Sequence, residues 1–320
     1  MPSPAATTNQ ADPPRSGQRE PLRRVPAPLL LGAGIISVQV GAGFAAKLFG
    51  TVSAAGITGL RLWAACLLLV ALGGRAAGRA IRGVVAERAW RDAAVVAAFG
   101  LTLGVMNFAI YQSFARIPLG IAVTIEFLGP LGVAVATSRR LIDLLWVGLA
   151  ALGVTLLGAA GVGVATFDGV RHGGSVLAGV AYALVAAASW ACYIMLSTAT
   201  GRRFSGSSGL VIAIVIGAVV VTPTALASAG ASLFRPGVLA AGLLIGLLSS
   251  VVPYRFELET LRRVPTRVFG IWMSLEPAVA ALVGVVMLSQ QLSLLQWLAI
   301  VCVMAATAGA ALGAVSVPQA

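Results

Sequence analysis

Residues 115–140 read Ala-Arg-Ile-Pro-Leu-Gly-Ile-Ala-Val-Thr-Ile-Glu-Phe-Leu-Gly-Pro-Leu-Gly-Val-Ala-Val-Ala-Thr-Ser-Arg-Arg. Between the basic residues at either end lies an apolar run over 118–137, interrupted only by one carboxyl, Glu126, and one internal proline, Pro130. Roughly 20 apolar residues span about 30 Å of hydrocarbon at about 1.5 Å per residue, so this stretch reads as a transmembrane helix. A second such stretch follows: Arg262-Arg263-Val264-Pro265 opens a run carrying Glu276 and Pro277, and both of its prolines lie 147 residues after their counterparts. The chain therefore repeats itself, each half containing one span with an embedded glutamate and a helix-breaking proline.

Similar apolar runs lie on either side. They predict ten spans, near 28–46, 52–73, 93–114, 118–137, 143–162, 174–197, 208–228, 237–261, 265–287 and 293–314. Alternate loops must fall on opposite sides of the membrane, and basic residues mark the cytoplasmic one. With ten spans, fifteen arginines of the N-terminal tail and even loops share one side, whereas Lys47, Arg116, Arg171 and Arg235 occupy the other. That asymmetry predicts both termini in the cytoplasm. Five spans per half is an odd number, so the second half enters the membrane from the opposite side, giving inverted repeats. The expected organisation is a disordered cytoplasmic tail at 1–27, a first five-helix repeat at 28–162, an external linker at 163–173, a second repeat at 174–314 and a short cytoplasmic tail at 315–320. A cleaved signal peptide ending near Phe44-Ala-Ala-Lys47 is the rival reading of the first run, but its near-span length favours a retained helix.

Composition agrees. Of 320 residues, 59% are hydrophobic and 10% charged, with a mean hydropathy of +0.97, which leaves lipid as the main solvent. The net charge of +12 resides in short loops, where membrane topogenesis places it, so nucleic-acid binding is not expected. Cys66, Cys192 and Cys302 sit inside apolar runs as small hydrophobes. His172 is the sole histidine and lacks neighbours suited to a metal or a Ser/His/Asp set, so neither an enzyme nor a metal or cofactor site is expected. No Gly-rich loop is followed by Lys-Ser/Thr, which argues against ATP-driven pumping. Small residues four apart, as at Gly242/Gly246 and Ala280/Gly284, suit close helix packing.

Several stretches resemble the drug/metabolite transporter superfamily with its paired EamA domains, and within it the RhtA-like threonine/homoserine exporters. They are Ser37-Val-Gln-Val-Gly-Ala-Gly-Phe-Ala45, Ala55-Gly-Ile-Thr-Gly-Leu-Arg-Leu62, Ile125-Glu-Phe-Leu-Gly-Pro130, Ser189-Trp-Ala-Cys-Tyr193, Leu248-Ser-Ser-Val-Val-Pro-Tyr254 and Phe269-Gly-Ile-Trp-Met-Ser-Leu-Glu-Pro-Ala-Val-Ala-Ala281. The resemblance implies an all-α membrane fold of ten helices in two five-helix repeats and export of small metabolites such as amino acids. Arg255 departs from the pattern, where a small or polar residue is expected after Pro-Tyr.

A charge inside a span costs about 2.5–3.5 kcal/mol on insertion scales, so each calls for a partner or a task. Glu126 and Glu276 are the candidates for proton coupling, because prolines beside them free the carbonyls of Glu126 and Met273 and because a low-dielectric site lets a carboxyl exchange protons. The alternative is a permanent ion pair of either glutamate with Arg61 or Arg267. Arg61 could clamp a substrate carboxylate, neutralise a glutamate or snorkel to an interface. Arg255 and Glu259, four apart, are expected to pair along one helix face, while Glu257 has no assigned role.

Uncharged polar residues complete the candidate cavity. Gln39, Asn107, Tyr111, Ser189 and Tyr193, with Ser197 continuing the last pair's stripe, are expected to face substrate or to hydrogen-bond between helices. The function expected is secondary active export of amino acids or similar small polar metabolites across the bacterial inner membrane, driven by protons, as an antiporter, or by the solute's own gradient. A drug-like solute, a membrane-embedded enzyme, a channel or a scaffold are the alternatives.

Overall fold

A computed structural model of the chain describes residues 25–138, 140–159, 175–204 and 208–313. The tail before Val25, His172, the linker at 163–173 and the segment 315–320 lie outside the described residues. The described chain is helical: α1 Ala27–Leu48, α2 Ala54–Ala86, α3 Trp90–Phe114, α4 Leu119–Glu126, α5 Leu128–Ala136, α6 Asp143–Ala159, α7 Val176–Gly201, α8 Ser208–Ala229, α9 Pro236–Gly246, α10 Val252–Leu261, α11 Thr266–Met273, α12 Glu276–Leu288 and α13 Leu294–Gly313. Pairs α4/α5, α9/α10 and α11/α12 each make one interrupted crossing. Among the described residues, nine crossings are long and apolar enough to span a membrane, and the shorter apolar helix at Asp143–Leu157 supplies the tenth.

Prolines set the helix starts. Pro26, Pro118 and Pro265 occupy the capping positions of α1, α4 and α11, and Pro236 begins α9, where the missing N–H costs nothing. Prolines also set the breaks. Pro130 cannot donate to the carbonyl of Glu126, and the chain turns at Phe127; Pro277 cannot donate to Met273, and it turns at Ser274 and Leu275. Ahead of Pro253 the residues Leu247–Val251 widen into one π-helical turn joining α9 to α10.

The packing is pseudo-symmetric. The second crossing of one half lies on that of the other (α2 on α8), as do the fourth (α4 on α12) and the fifth (α6 on α13). The contact of α3 with α7 is mirrored by that of α10 with α1, and α3 on α8 by α9 on α2. Exchanging the halves maps the first three of these contacts onto themselves and pairs the others, as a two-fold axis in the membrane plane requires. One buried core joins the two halves, including Ile117, Leu119, Ile121 and Ala122 of α4 and its approach together with Ala280 of α12.

Two local expectations are corrected. The segment 75–86 is a continuation of α2 and not a loop, because Ala77 and its neighbours pack against Val96, Phe204, Val211 and Ile212 and hold the helix beyond the membrane span. Glu259 does not pair with Arg255: it is held by Arg262 at 3.5 Å and Arg263 at the same helix end, leaving Arg255 exposed.

Candidate functional site

Six of the residues expected in the site line one cavity of about 140 Å³: Gln39, Arg61, Asn107, Tyr111, Glu126 and Glu276. They come from five helices. Gln39 lies on α1, Arg61 on α2, Asn107 and Tyr111 on α3, Glu126 at the end of α4, and Glu276 at the start of α12. The breaks put both glutamates at helix ends, so the carboxyls share the cavity wall with irregular backbone.

The polar contacts form a partly satisfied network. Gln39 donates from Nε2 to Oε1 of Glu276 at 2.9 Å, and both residues are buried. Asn107 donates to the Leu103 carbonyl at 2.8 Å. Arg61 donates from Nη2 to the Ser249 carbonyl at 3.0 Å, and its guanidinium lies 5.2 Å from the Tyr111 ring centroid. Pro253, four residues on, has no N–H to give that carbonyl. Ser37 takes the neighbouring Leu248 carbonyl at 2.7 Å, so the π turn presents its unpaired acceptors to α1 and α2. Gly41 lets α1 approach closely, since a Cβ there would collide with the Ser249 side chain.

Five polar atoms around the cavity are buried without a hydrogen-bond partner: Gln39 Oε1, Arg61 Nε, Tyr111 OH, Ser249 Oγ and Glu276 Oε2. Buried polar groups are nearly always satisfied, so such a cluster marks a place built to receive polar groups. Neither Glu126 nor Glu276 forms an ion pair with Arg61 or Arg267; Arg61 acts on Glu126 through space, and Arg267 is exposed. The alternative of a permanent ion pair is therefore not what forms. Glu126 and Glu276 line the cavity with Arg61, and Glu257 lies outside that lining but close enough to act electrostatically on Glu276.

Ser189 and Tyr193 do not line this cavity. One position along from Ser189 on α7, Trp190 does, its ring edge-on to Phe127 at 5.0 Å between centroids. Tyr193 packs on Phe99 at 5.1 Å and lies near Tyr254 and Glu257, while Ser197 bonds back to the Ile194 carbonyl at 3.0 Å. Tyr193, Tyr254 and Glu257 thus form a second polar cluster. It gives Glu257 a setting that its sequence position did not reveal.

Ten helical crossings in two pseudo-symmetric halves around a small, partly unsatisfied polar cavity define a multi-pass membrane transporter. The chain belongs to the EamA-like transporter family, whose model matches residues 177–312. The threonine/homoserine exporter RhtA of Escherichia coli (strain K12) is 37% identical over 300 residues, 91% of this chain and 94% of that protein. The threonine/homoserine exporter RhtA of Salmonella typhimurium (strain LT2) is 36% identical over 297 residues, 91% of this chain and 93% of its own. A solved crystal structure, 18% identical with a TM-score of 0.52, covers 89% of this chain and 96% of its own and shares the fold.

Proposed function

We propose that the chain is a secondary active exporter of small zwitterionic amino acids, threonine and homoserine among them. It sits in the bacterial inner membrane with both termini cytoplasmic. The observation that carries this reading is the cavity's charge arrangement: one guanidinium with a free Nε, Arg61, and carboxyls at Glu126 and Glu276 line the same cavity. An amino acid offers the complementary set, its carboxylate for Arg61, its ammonium for the glutamates and its hydroxyl for Asn107, Tyr111 or Gln39. At about 140 Å³ the cavity falls below the roughly 300–1,000 Å³ that drug-sized ligands need, which favours a metabolite of few heavy atoms. The RhtA relatives, named as threonine/homoserine exporters, support the same substrate class.

Coupling follows from charge balance. One arginine cannot neutralise Glu126 and Glu276 together, so in the absence of substrate the cavity takes up a proton, and a bound ammonium displaces it. Rocking of the halves 28–162 and 174–314 about their shared axis then exposes the cavity to either side in turn, exchanging proton for solute. The arginine excess on one set of loops supports the orientation. Counterflow in proteoliposomes tests the proposal: saturable exchange of labelled threonine for internal threonine or homoserine is expected. Failure of both amino acids to exchange would remove the substrate assignment and leave the fold intact.

A further inference from the structure

Away from the central cavity, the extension of α2 beyond its span forms one wall of an apolar groove of about 510 Å³. The first turns of α3 and α8 and Phe204 form the rest, and every residue lining it is apolar. Along α2 the lining stripe is Val70, Gly74, Ala77, Gly78, Ile81 and Val84, the spacing of a single helix face. Arg75, Arg79 and Arg82 each follow a stripe residue by one position, about 100° round the helix, so they form a basic rim along the groove. All three are exposed and, among the described residues, have no ion pair. The nearby Asp92 is already taken by Arg203 at 3.0 Å. Trp90, 65% exposed, stands at the groove mouth where α3 begins.

We infer that this groove holds an acyl chain of an anionic glycerophospholipid, its phosphate on the rim formed by Arg75, Arg79 and Arg82. The groove lies at the level where two spans start, so apolar surface there meets the headgroup zone and is covered at least cost by a lipid chain. The uncompensated arginines select a lipid carrying net negative charge over a zwitterionic one. The N-terminal tail is a poor occupant, because its four arginines against two carboxylates would add positive charge to a positive rim. Gly78 shows that the groove is open: a Cβ there meets nothing within 4 Å, so a larger side chain at this position fills the groove without displacing protein.

The full-length protein in phosphatidylcholine vesicles carries the test, with a small equal fraction of either brominated phosphatidylglycerol or brominated phosphatidylcholine added. Subtracting the Trp90→Phe variant isolates the fluorescence of the groove tryptophan. In the unsubstituted protein, brominated phosphatidylglycerol should quench that component at least about fivefold more, the enrichment that one surface arginine supplies. Gly78→Leu, and separately the triple change of Arg75, Arg79 and Arg82 to Gln, should each abolish the excess, and soluble glycerol phosphate should not. Equal quenching by the two lipids, which needs no variant to observe, would overturn the inference. So would shielding of Trp90 from both lipids, displacement by glycerol phosphate, or an excess that survives Gly78→Leu, since headgroups would then merely gather over arginines.

Discussion

Gln39 of α1 donates to Glu276 of α12 across 2.9 Å, and this buried hydrogen bond joins the first helix of one half to a broken helix of the other. If the halves rock about the cavity, this contact lies on the surface between moving parts. Hydrogen bonds to a charged group contribute about 1.5–3 kcal/mol, so Gln39→Leu should lower threonine exchange at subsaturating substrate by about tenfold or more. Initial exchange rates at matched protein density in proteoliposomes check this, and an unchanged rate would detach Gln39 from the transport site.

Arg61 distinguishes a substrate anchor from a structural tie. Arg61→Lys keeps the charge but loses the planar fork that reaches the Ser249 carbonyl and stacks near Tyr111. The half-saturation concentration for threonine should rise about tenfold, the maximal rate falling less, as loss of a charge-assisted hydrogen bond dictates. Loss of folded protein in place of weakened binding, read from thermal unfolding in detergent, would favour the structural role.

Close approach of the two halves predicts where glycine is required. A Cβ at Gly120 would run into the backbone of Ala281 on α12, whereas one at Gly132 meets nothing within 4 Å. Overpacking a tight contact costs about 1–3 kcal/mol, so Gly120→Val should depress the unfolding temperature and yield, and Gly132→Ala should leave both unchanged. Equal behaviour of the two variants would contradict the α4–α12 packing.

Most of the fold was legible because the signals for it are local. Apolar run length, proline position and arginine spacing each act within a few residues, and they located the crossings and the breaks near Glu126 and Glu276. What could not be read depends on partners distant in the chain. The stripe Ser189, Tyr193 and Ser197 was recognisable on α7, but which face meets the cavity is decided by α3 and α5; Trp190, one position round, faces it. Glu257 found its setting only when α10 came beside Tyr193 of α7. Glu259 chose Arg263 over Arg255, although both are four residues away, because Arg263 lies at the helix end together with Arg262.

The Tyr193, Tyr254 and Glu257 cluster is adjacent to the site in charge but outside the cavity lining. If it only adjusts the charge felt at Glu276, Glu257→Gln should alter how exchange depends on external pH while leaving the half-saturation concentration for threonine within about twofold, less than the loss of a direct hydrogen bond. A rise of tenfold would move Glu257 into direct contact with substrate.

Proton-coupled export through Glu126 and Glu276 is tested by efflux of labelled threonine and homoserine from loaded cells. Cells expressing the unsubstituted protein, Glu126→Gln or Glu276→Gln are compared with and without a proton uncoupler. Efflux should collapse with uncoupler and be lost in both variants. Efflux that is indifferent to uncoupler and unchanged in both would contradict it and leave the two glutamates as parts of the scaffold.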